Sequence, residues 1–342
     1  MFSVGKMTMT ESAPAKLIDR FGRHVTYVRL SVTDRCDLRC IYCMSDKMTF
    51  LPRQQLLTLE EMARLGRCFS DLGVTKLRVT GGEPLIRPNV IWLFEQLGAL
   101  TGVRDLTLTT NGTHLSRYAR ALKDAGVTRV NISLDTMRGK RFQEITRVGR
   151  LEKTMAGLAA ALAAGFRRVK LNSVILKNRN HDEVVDLVRF AIDCGIDISF
   201  IEEMPLGTVG DHDRAEAYYS SDQIRRDLAG HFELVSTIES TGGPSKYFHV
   251  GGTDTRVGFI SPHSHNFCGD CNRVRVTAEG HMLLCLGQEH SADLRRVLRG
   301  NPTDDERVKN SIVAAMALKP HGHDFDLGTA PAIARHMNMT GG

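Results

Sequence analysis

The sequence predicts an α/β fold, an incomplete (βα)6-type TIM barrel followed by a C-terminal α+β extension. Three observations predict it. From residue 25 to residue 201, short β-branched runs alternate with helix-period segments, the pattern of parallel strands joined by helical crossovers. Polar and glycine-rich clusters follow these strands in turn: a cysteine loop, Gly81-Gly82-Glu83-Pro84, Thr109 to Gly112, Ser133-Leu134-Asp135 and Met204-Pro205. In a parallel barrel all strand C-termini open onto one face, so clusters spread over roughly 170 residues converge there. Beyond about residue 230 the pattern changes to short β-like runs with Gly and Pro turns. About six βα units are visible, fewer than the eight of a closed barrel.

Residues 1–21 carry Thr, Ser and Pro without sustained periodicity and are expected to form a mobile arm. Residues 25–32 (VTYVRLSV) read as a buried strand that delivers the cysteine loop. Thr58 as N-cap with Glu61 three residues on forms a capping box, and the helix it opens runs to Leu72 and stops at Gly73. Strands follow at 76–79, 105–109, 129–133, 168–176 and 196–201. Helices are expected at 89–100, 115–125, 151–164 and 182–194. A boundary near Gly230 separates a barrel over 22–230 from a C-terminal region over 231–342, with helices at 293–298 and 303–318.

The 342 residues carry 45 basic and 39 acidic side chains, a net charge of +6. That mild excess is no nucleic-acid footprint, but it suits a small polyanion if the basic residues converge. No apolar run approaches the ~20 residues of a membrane span, and residues 1–20 lack the apolar stretch of a signal peptide. Six of the eight cysteines fall in two clusters, which points to metal in a reducing cytoplasm.

The first cluster, Cys36, Cys40 and Cys43, is a C-x3-C-x2-C run with Tyr42 before the last cysteine. Three thiolates on one loop suit a [4Fe–4S] cluster, and leave one iron open for a ligand that reacts. A structural zinc site completed by His24 or a remote residue is the plainer alternative. The second cluster, Cys268, Cys271 and Cys285, is C-x2-C-x13-C. Its spacing leaves open both an iron–sulfur cluster and a zinc knuckle completed by His263, His265 or His281.

The C-x3-C-x-aromatic-C run resembles the signature of the radical S-adenosylmethionine (SAM) superfamily. The segments SVTDRC, LRVTGGEP and FCGDCNRVRVTAEGHMLLCL resemble more narrowly the GTP 3′,8-cyclase family, whose members open molybdenum cofactor biosynthesis. The likeness runs from about Phe21 to the final glycines.

That resemblance implies two [4Fe–4S] clusters, SAM as cofactor and GTP as substrate. Cys36, Cys40 and Cys43 would carry the radical-forming cluster, with SAM contacts at Tyr42, Gly82, Glu83, Ser133 and Met204. Cys268, Cys271 and Cys285 would carry the second cluster, where the purine binds. The nucleotide would meet Arg29, Arg78, Thr109, Lys170, Arg273, Val274 and Arg275. Arg273 and the terminal Gly341 and Gly342 would serve catalysis. A flavodoxin- or ferredoxin-type reductant, the next enzyme of the molybdopterin pathway and a homodimer are the implied partners, with no nucleic acid and no membrane.

The residues bear on these roles independently. Arg29, Arg78 and Lys170 interrupt strands that otherwise read as buried, where charges are costly unless paired or facing a polar site. Structural ion pairs are the alternative for each alone. Arg273 and Arg275 alternate with Val274 and so share a face if extended. Glu83 could meet the SAM ammonium or equally fix its loop through backbone N–H groups. Two competing functions remain at this level. A radical SAM peptide maturase predicts no GTP binding, and a zinc-stabilised nucleic-acid module predicts colourless protein with salt-sensitive affinity.

Overall fold

The computed structural model describes residues 16–45, 47–210, 212–328 and 333–341. Its strands form one sheet: β1 (Tyr27–Ser31), β2 (Lys76–Thr80), β3 (Asp105–Thr110), β4 (Arg129–Ser133), β5 (Arg168–Val174), β6 (Asp197–Ile201), β7 (Leu234–Ser236), β8 (Lys246–Val250), β9 (Arg256–Ile260), β10 (Arg273–Val276), β11 (His281–Leu283) and β12 (Ser291–Asp293). Their order is β12-β11-β10-β1-β2-β3-β4-β5-β6-β9-β8-β7. The stretch from β10 to β9 is parallel throughout. The six strands read from the sequence are thus the middle of an eight-strand parallel run. The C-terminal region supplies the other two, one on each flank, and an antiparallel pair beyond each.

Helices follow the strands: α1 (Leu59–Asp71), α2 (Val90–Gly98), α3 (Leu115–Asp124), α4 (Gly139–Thr146), α5 (Leu151–Ala163), α6 (Val184–Asp193), α7 (Arg214–Ala217), α8 (Ser221–Ala229), α9 (Leu294–Gly300), α10 (Asp305–Ala315) and α11 (Met337–Thr340). Helix α1 begins where the capping box requires: Thr58 Oγ1 accepts from the Glu61 N–H at 3.1 Å, and Glu61 Oε2 accepts from the Thr58 N–H at 2.8 Å. Sequence reading gave no helix at α4, α7, α8 or α11; three of these are short, and α8 lies at the assigned boundary.

The pleat sorts each strand into two faces. Val28 and Leu30, Leu77 and Val79, Leu106 and Leu108, Val130 and Ile132, Ile198 and Phe200 are all buried in the apolar core with the helices. The alternate residues are polar, and register aligns them: Arg29 with Arg78 and Arg275, Tyr27 with Lys76 and Arg273, Ser133 with Asn172, Lys170 with Asp197. They share the inner face. The sheet curls around it, because β8 reaches β5 through the Tyr247 hydroxyl, 3.1 Å from Lys170 Nζ. The flanks approach each other where Asn272 Nδ2 lies 3.5 Å from the Gly242 carbonyl.

Residues 16–21, read as the end of a mobile arm, are folded. The Val25 N–H donates to the Leu17 carbonyl at 2.8 Å, and Leu17 is buried. Residues 1–15 lie outside the described residues.

Candidate active site

The inner face carries a cationic lumen. Arg29, Arg78, Lys170, Arg273 and Arg275 point into it from β1, β2, β5 and β10. Two aromatic hydroxyls sit among them. The Tyr27 hydroxyl accepts from Arg78 Nε at 2.6 Å and from Arg29 Nη1 at 3.3 Å. Arg78 also donates to Thr109 Oγ1 at 3.0 Å. Burial, with Arg78 and Arg273 nearby, holds the Arg29 guanidinium down at about 10. Burial and the charges of Arg29 and Arg273 push Arg275 down as well. Among the described residues no carboxylate pairs with Arg78, Lys170, Arg273 or Arg275, whereas Lys76 and Arg129 pair with Asp105, and Arg256 with Asp197. Buried cations that depress one another's charge favour a bound polyanion.

Cys36, Cys40 and Cys43 follow the C-terminal end of β1. Burial pushes all three thiols up, Cys43 to about 12. As thiolates they therefore need a positive core beside them, which a metal centre supplies. Two N–H groups face the Cys36 sulfur: the Leu38 N–H lies 3.4 Å and Asn111 Nδ2 3.8 Å from its Sγ. These features fit an iron–sulfur cluster. Among the described residues no three Cys, His, Asp or Glu side chains converge as ligands of a single ion. Thiolates on separate irons of one cluster do not need to converge in that way.

Cys268, Cys271 and Cys285 line one cavity with Met204, Phe267, Arg273, Arg275 and Phe325; it holds about 510 Å³ of non-protein space, part of it open to solvent. Burial raises the Cys271 thiol, but Arg273 and Lys319 outweigh that and bring it to about 7. Three thiols beside two cations again fit an anionic thiolate-bound cluster. Cys271 precedes the start of β10 and Cys36 follows the end of β1, and these strands are adjacent and parallel. The two trios thus bracket the strand pair, with a five-residue strand of about 16 Å between them at ~3.3 Å per residue.

Several sequence-predicted residues turn inward on the protein. The Tyr42 hydroxyl donates to Asp135 Oδ2 at 2.6 Å. Burial pushes the Asp135 carboxyl up to about 6 despite that donor and the Val174 N–H. Glu83 is buried, and both oxygens are used: Oε1 accepts from the Leu85 N–H at 2.9 Å and from Thr110 Oγ1 at 2.8 Å, and Oε2 from the Asn111 N–H at 2.7 Å. Burial raises its carboxyl to about 8 against those donors. This is the loop-fixing arrangement, so Glu83 joins the Gly81–Pro84 turn to the end of β3. Gly82 meets protein as well. Its N–H donates to the Thr33 carbonyl at 2.7 Å, and a Cβ there would collide with the Arg35 carbonyl. The Val274 side chain packs in the core, on the face opposite Arg273 and Arg275. Ser133 ends β4 on the inner face, and Met204 lies at the second trio.

Gly341 enters the lumen. Its carbonyl accepts from Arg29 Nη2 at 2.8 Å, Arg29 Nε at 3.1 Å and Arg275 Nη1 at 2.7 Å. Gly342 lies outside the described residues. Sequence reading missed Tyr27, Tyr247 and Lys319, because a tyrosine in an apolar strand or a lysine after a helix has no distinguishing pattern.

Two family models match the chain: Radical SAM superfamily over residues 30–191 and Molybdenum Cofactor Synthesis C over residues 196–325. It is 58% identical over 326 residues to the GTP 3′,8-cyclase of Saccharophagus degradans, covering 95% of this chain and 98% of that protein. It is 56% identical over 333 residues to the GTP 3′,8-cyclase of Pseudomonas entomophila, covering 97% and 100%. The structure of Streptococcus suis SuiB bound to S-adenosylmethionine shares the fold, with a TM-score of 0.61 over 94% of this chain and 79% of that one at 14% identity. Identity at this level over nearly the full length of both chains, joined to a lumen that brackets its cations between two cysteine trios, makes the chain a member of the GTP 3′,8-cyclase family of the radical SAM superfamily.

Proposed function

We propose that the chain is a GTP 3′,8-cyclase that converts GTP to (8S)-3′,8-cyclo-7,8-dihydroguanosine 5′-triphosphate for molybdenum cofactor biosynthesis. The observation that carries this reading is one cation-lined lumen with a thiol trio at either end of the β1–β10 pair. Cys36, Cys40 and Cys43 would hold the first [4Fe–4S] cluster, and Cys268, Cys271 and Cys285 the second. When bound, the first cluster and SAM would supply a 5′-deoxyadenosyl radical able to take hydrogen from the ribose C3′; closing C3′ onto C8 of guanine would then need one electron, drawn through a cluster from the flavodoxin- or ferredoxin-type reductant, and one proton at the ring nitrogen.

The chain's own residues hold the substrate for that step. Arg29, Arg78, Lys170, Arg273 and Arg275 neutralise the triphosphate, and Thr109 orients Arg78. Tyr42 and Asp135 brace the cysteine loop against β4 and β5. Ser133 and the Gly82 backbone remain assigned to SAM, and Met204, beside the second trio, to the wall between cofactor and purine. Gly341, through its carbonyl, would hold the arginines that meet the nucleotide, and a catalytic role stays proposed for Gly341 and Gly342. The barrel over 22–230 and the region over 231–342 would act as one unit. A flavodoxin- or ferredoxin-type reductant, hand-over to the next enzyme of the molybdopterin pathway, a homodimer and a cytoplasmic location complete the reading. No described helix is long and apolar enough to cross a membrane.

The test is anaerobic incubation of reconstituted protein with SAM, dithionite and GTP, read by mass spectrometry. We expect 5′-deoxyadenosine and an isomer of GTP. Deoxyadenosine without the isomer would sink the substrate assignment, and neither product would sink the radical chemistry. Cys268→Ala is expected to lose GTP binding while keeping uncoupled SAM cleavage.

A further inference from the structure

A lysine outside the lumen's set of cations is sealed beside the second thiol trio. Lys319 is 1% exposed. It follows the 3₁₀ turn Met316–Leu318 at the end of α10. Its Nζ donates to the Leu284 carbonyl at 2.8 Å and lies 3.7 Å from Cys271 Sγ. Among the described residues no carboxylate pairs with it. Burying an ammonium without a counter-charge is costly, and a leucine or methionine would fill the same space without that cost. The negative charge facing it must come from the thiolates.

The lysine is also fixed in place. Arg23, itself buried and paired with Asp19, donates through Nη1 to the carbonyls of Cys268 and His321, both at 2.7 Å, and through Nη2 to Pro320 at 2.6 Å. One guanidinium thus ties the loop of Cys268 to the two residues after Lys319. The ammonium is held by Leu284, next to Cys285, and by this clamp next to Cys268.

We propose that Lys319 is the counter-charge and N–H donor of the second iron–sulfur cluster, a positioning residue that helps retain the cluster and sets how readily it accepts an electron. The proposal rests on the two-cluster reading above. A buried positive charge stabilises the reduced, more negative state, so it raises the reduction potential.

The experiment is an anaerobic, EPR-monitored redox titration of the reconstituted full-length chain with Cys36, Cys40 and Cys43 all replaced by alanine. Only the second trio can then carry a cluster. Lys319→Gln removes the charge and keeps an N–H donor; Lys319→Arg keeps the charge. We expect Lys319→Gln to shift the midpoint potential to more negative values and Lys319→Arg to stay close to the parent. Loss of iron from Lys319→Gln alone, with Lys319→Arg still loaded, supports the same role. An unshifted potential in a fully loaded Lys319→Gln protein overturns it. So does equal loss or equal shift in both variants, because packing rather than charge is then at stake. If the parent itself takes up no iron, the two-cluster reading fails, an outcome visible before either lysine variant is made.

Discussion

The Tyr27 hydroxyl lies 2.6 Å from Arg78 Nε on the polar inner face of β1, and the residue is 2% exposed. Burial alone would raise its pKa, but Arg78, Arg29, Lys76 and Arg273 outweigh burial and pull it well below the usual tyrosine range. The oxygen therefore acts as a strong acceptor that aims two guanidiniums. Tyr27→Phe removes a hydrogen bond to a charged group, worth about 1.5–3 kcal/mol, so GTP affinity should fall by roughly tenfold or more. Anaerobic equilibrium dialysis checks this, and an unchanged affinity contradicts it. Tyr247 makes the matching case on pH. Burial raises it, but Lys170 and hydrogen bonds with Thr241, Lys170 and Ser245 bring it to about 7. Losing its proton puts an anion beside Lys170, in competition with a phosphate. GTP binding to the natural protein should therefore weaken, relative to Tyr247→Phe, as pH rises through about 7. A ratio of the two affinities that is flat from about pH 6 to about pH 8 counts against that competition. These tyrosines were not legible in the sequence, since nothing in the residues around either marks its hydroxyl as part of a site. Arg29, Arg78 and Lys170 were legible, because a charge in a buried strand demands a reason.

At the scale of elements, the turn after β2 and the cysteine loop after β1 behave as one piece. The Gly82 N–H donates to the Thr33 carbonyl and the Glu83 N–H to the Arg35 carbonyl at 2.8 Å, so two loops that end adjacent strands share a short ladder. Gly82 is a glycine because the Arg35 carbonyl occupies the space of a Cβ. Gly82→Ala should push the loops apart, costing about 1–3 kcal/mol locally and lowering the iron bound by the first trio. Iron content and the visible absorption band measure it in a chain lacking Cys268, Cys271 and Cys285, and full loading would show the contact to be dispensable. Proximity of these loops follows from strand order, and that much was legible: six alternating units, with polar clusters at one end. What escaped is that β9 and β10 join the parallel run, beside β6 and β1. They lie far along the chain from β6 and β1, they are short, and no periodicity encodes which distant strand they join. Glu83 was legible as important, but only the fold decides that its oxygens face Leu85, Thr110 and Asn111.

For the whole molecule, the curled sheet leaves its interior polar, so something other than apolar packing must fill it. The chain supplies part of that filling from its own end. Asn338 is buried and donates through Nδ2 to the Asp34 carbonyl at 2.6 Å, and α11 then carries Gly341 against Ser31 and Thr80, the last residues of β1 and β2. Gly341 has φ +73°, and a Cβ on it would collide with the methyl of Thr80. Only glycine satisfies both conditions without strain. Its carbonyl joins Arg29 to Arg275 across the β1–β10 pair, so the tail sets the spacing of the guanidiniums that meet the triphosphate. Gly341→Val should expel the last residues from the lumen. Cyclisation is then expected to fall at least tenfold, about 1.4 kcal/mol in the barrier, with iron content and thermal midpoint unchanged. Faster hydrogen exchange over residues 337–341 would report the expulsion directly. If exchange rises while cyclisation holds, the arginines keep their spacing without the tail, and its carbonyl is a passenger in the lumen.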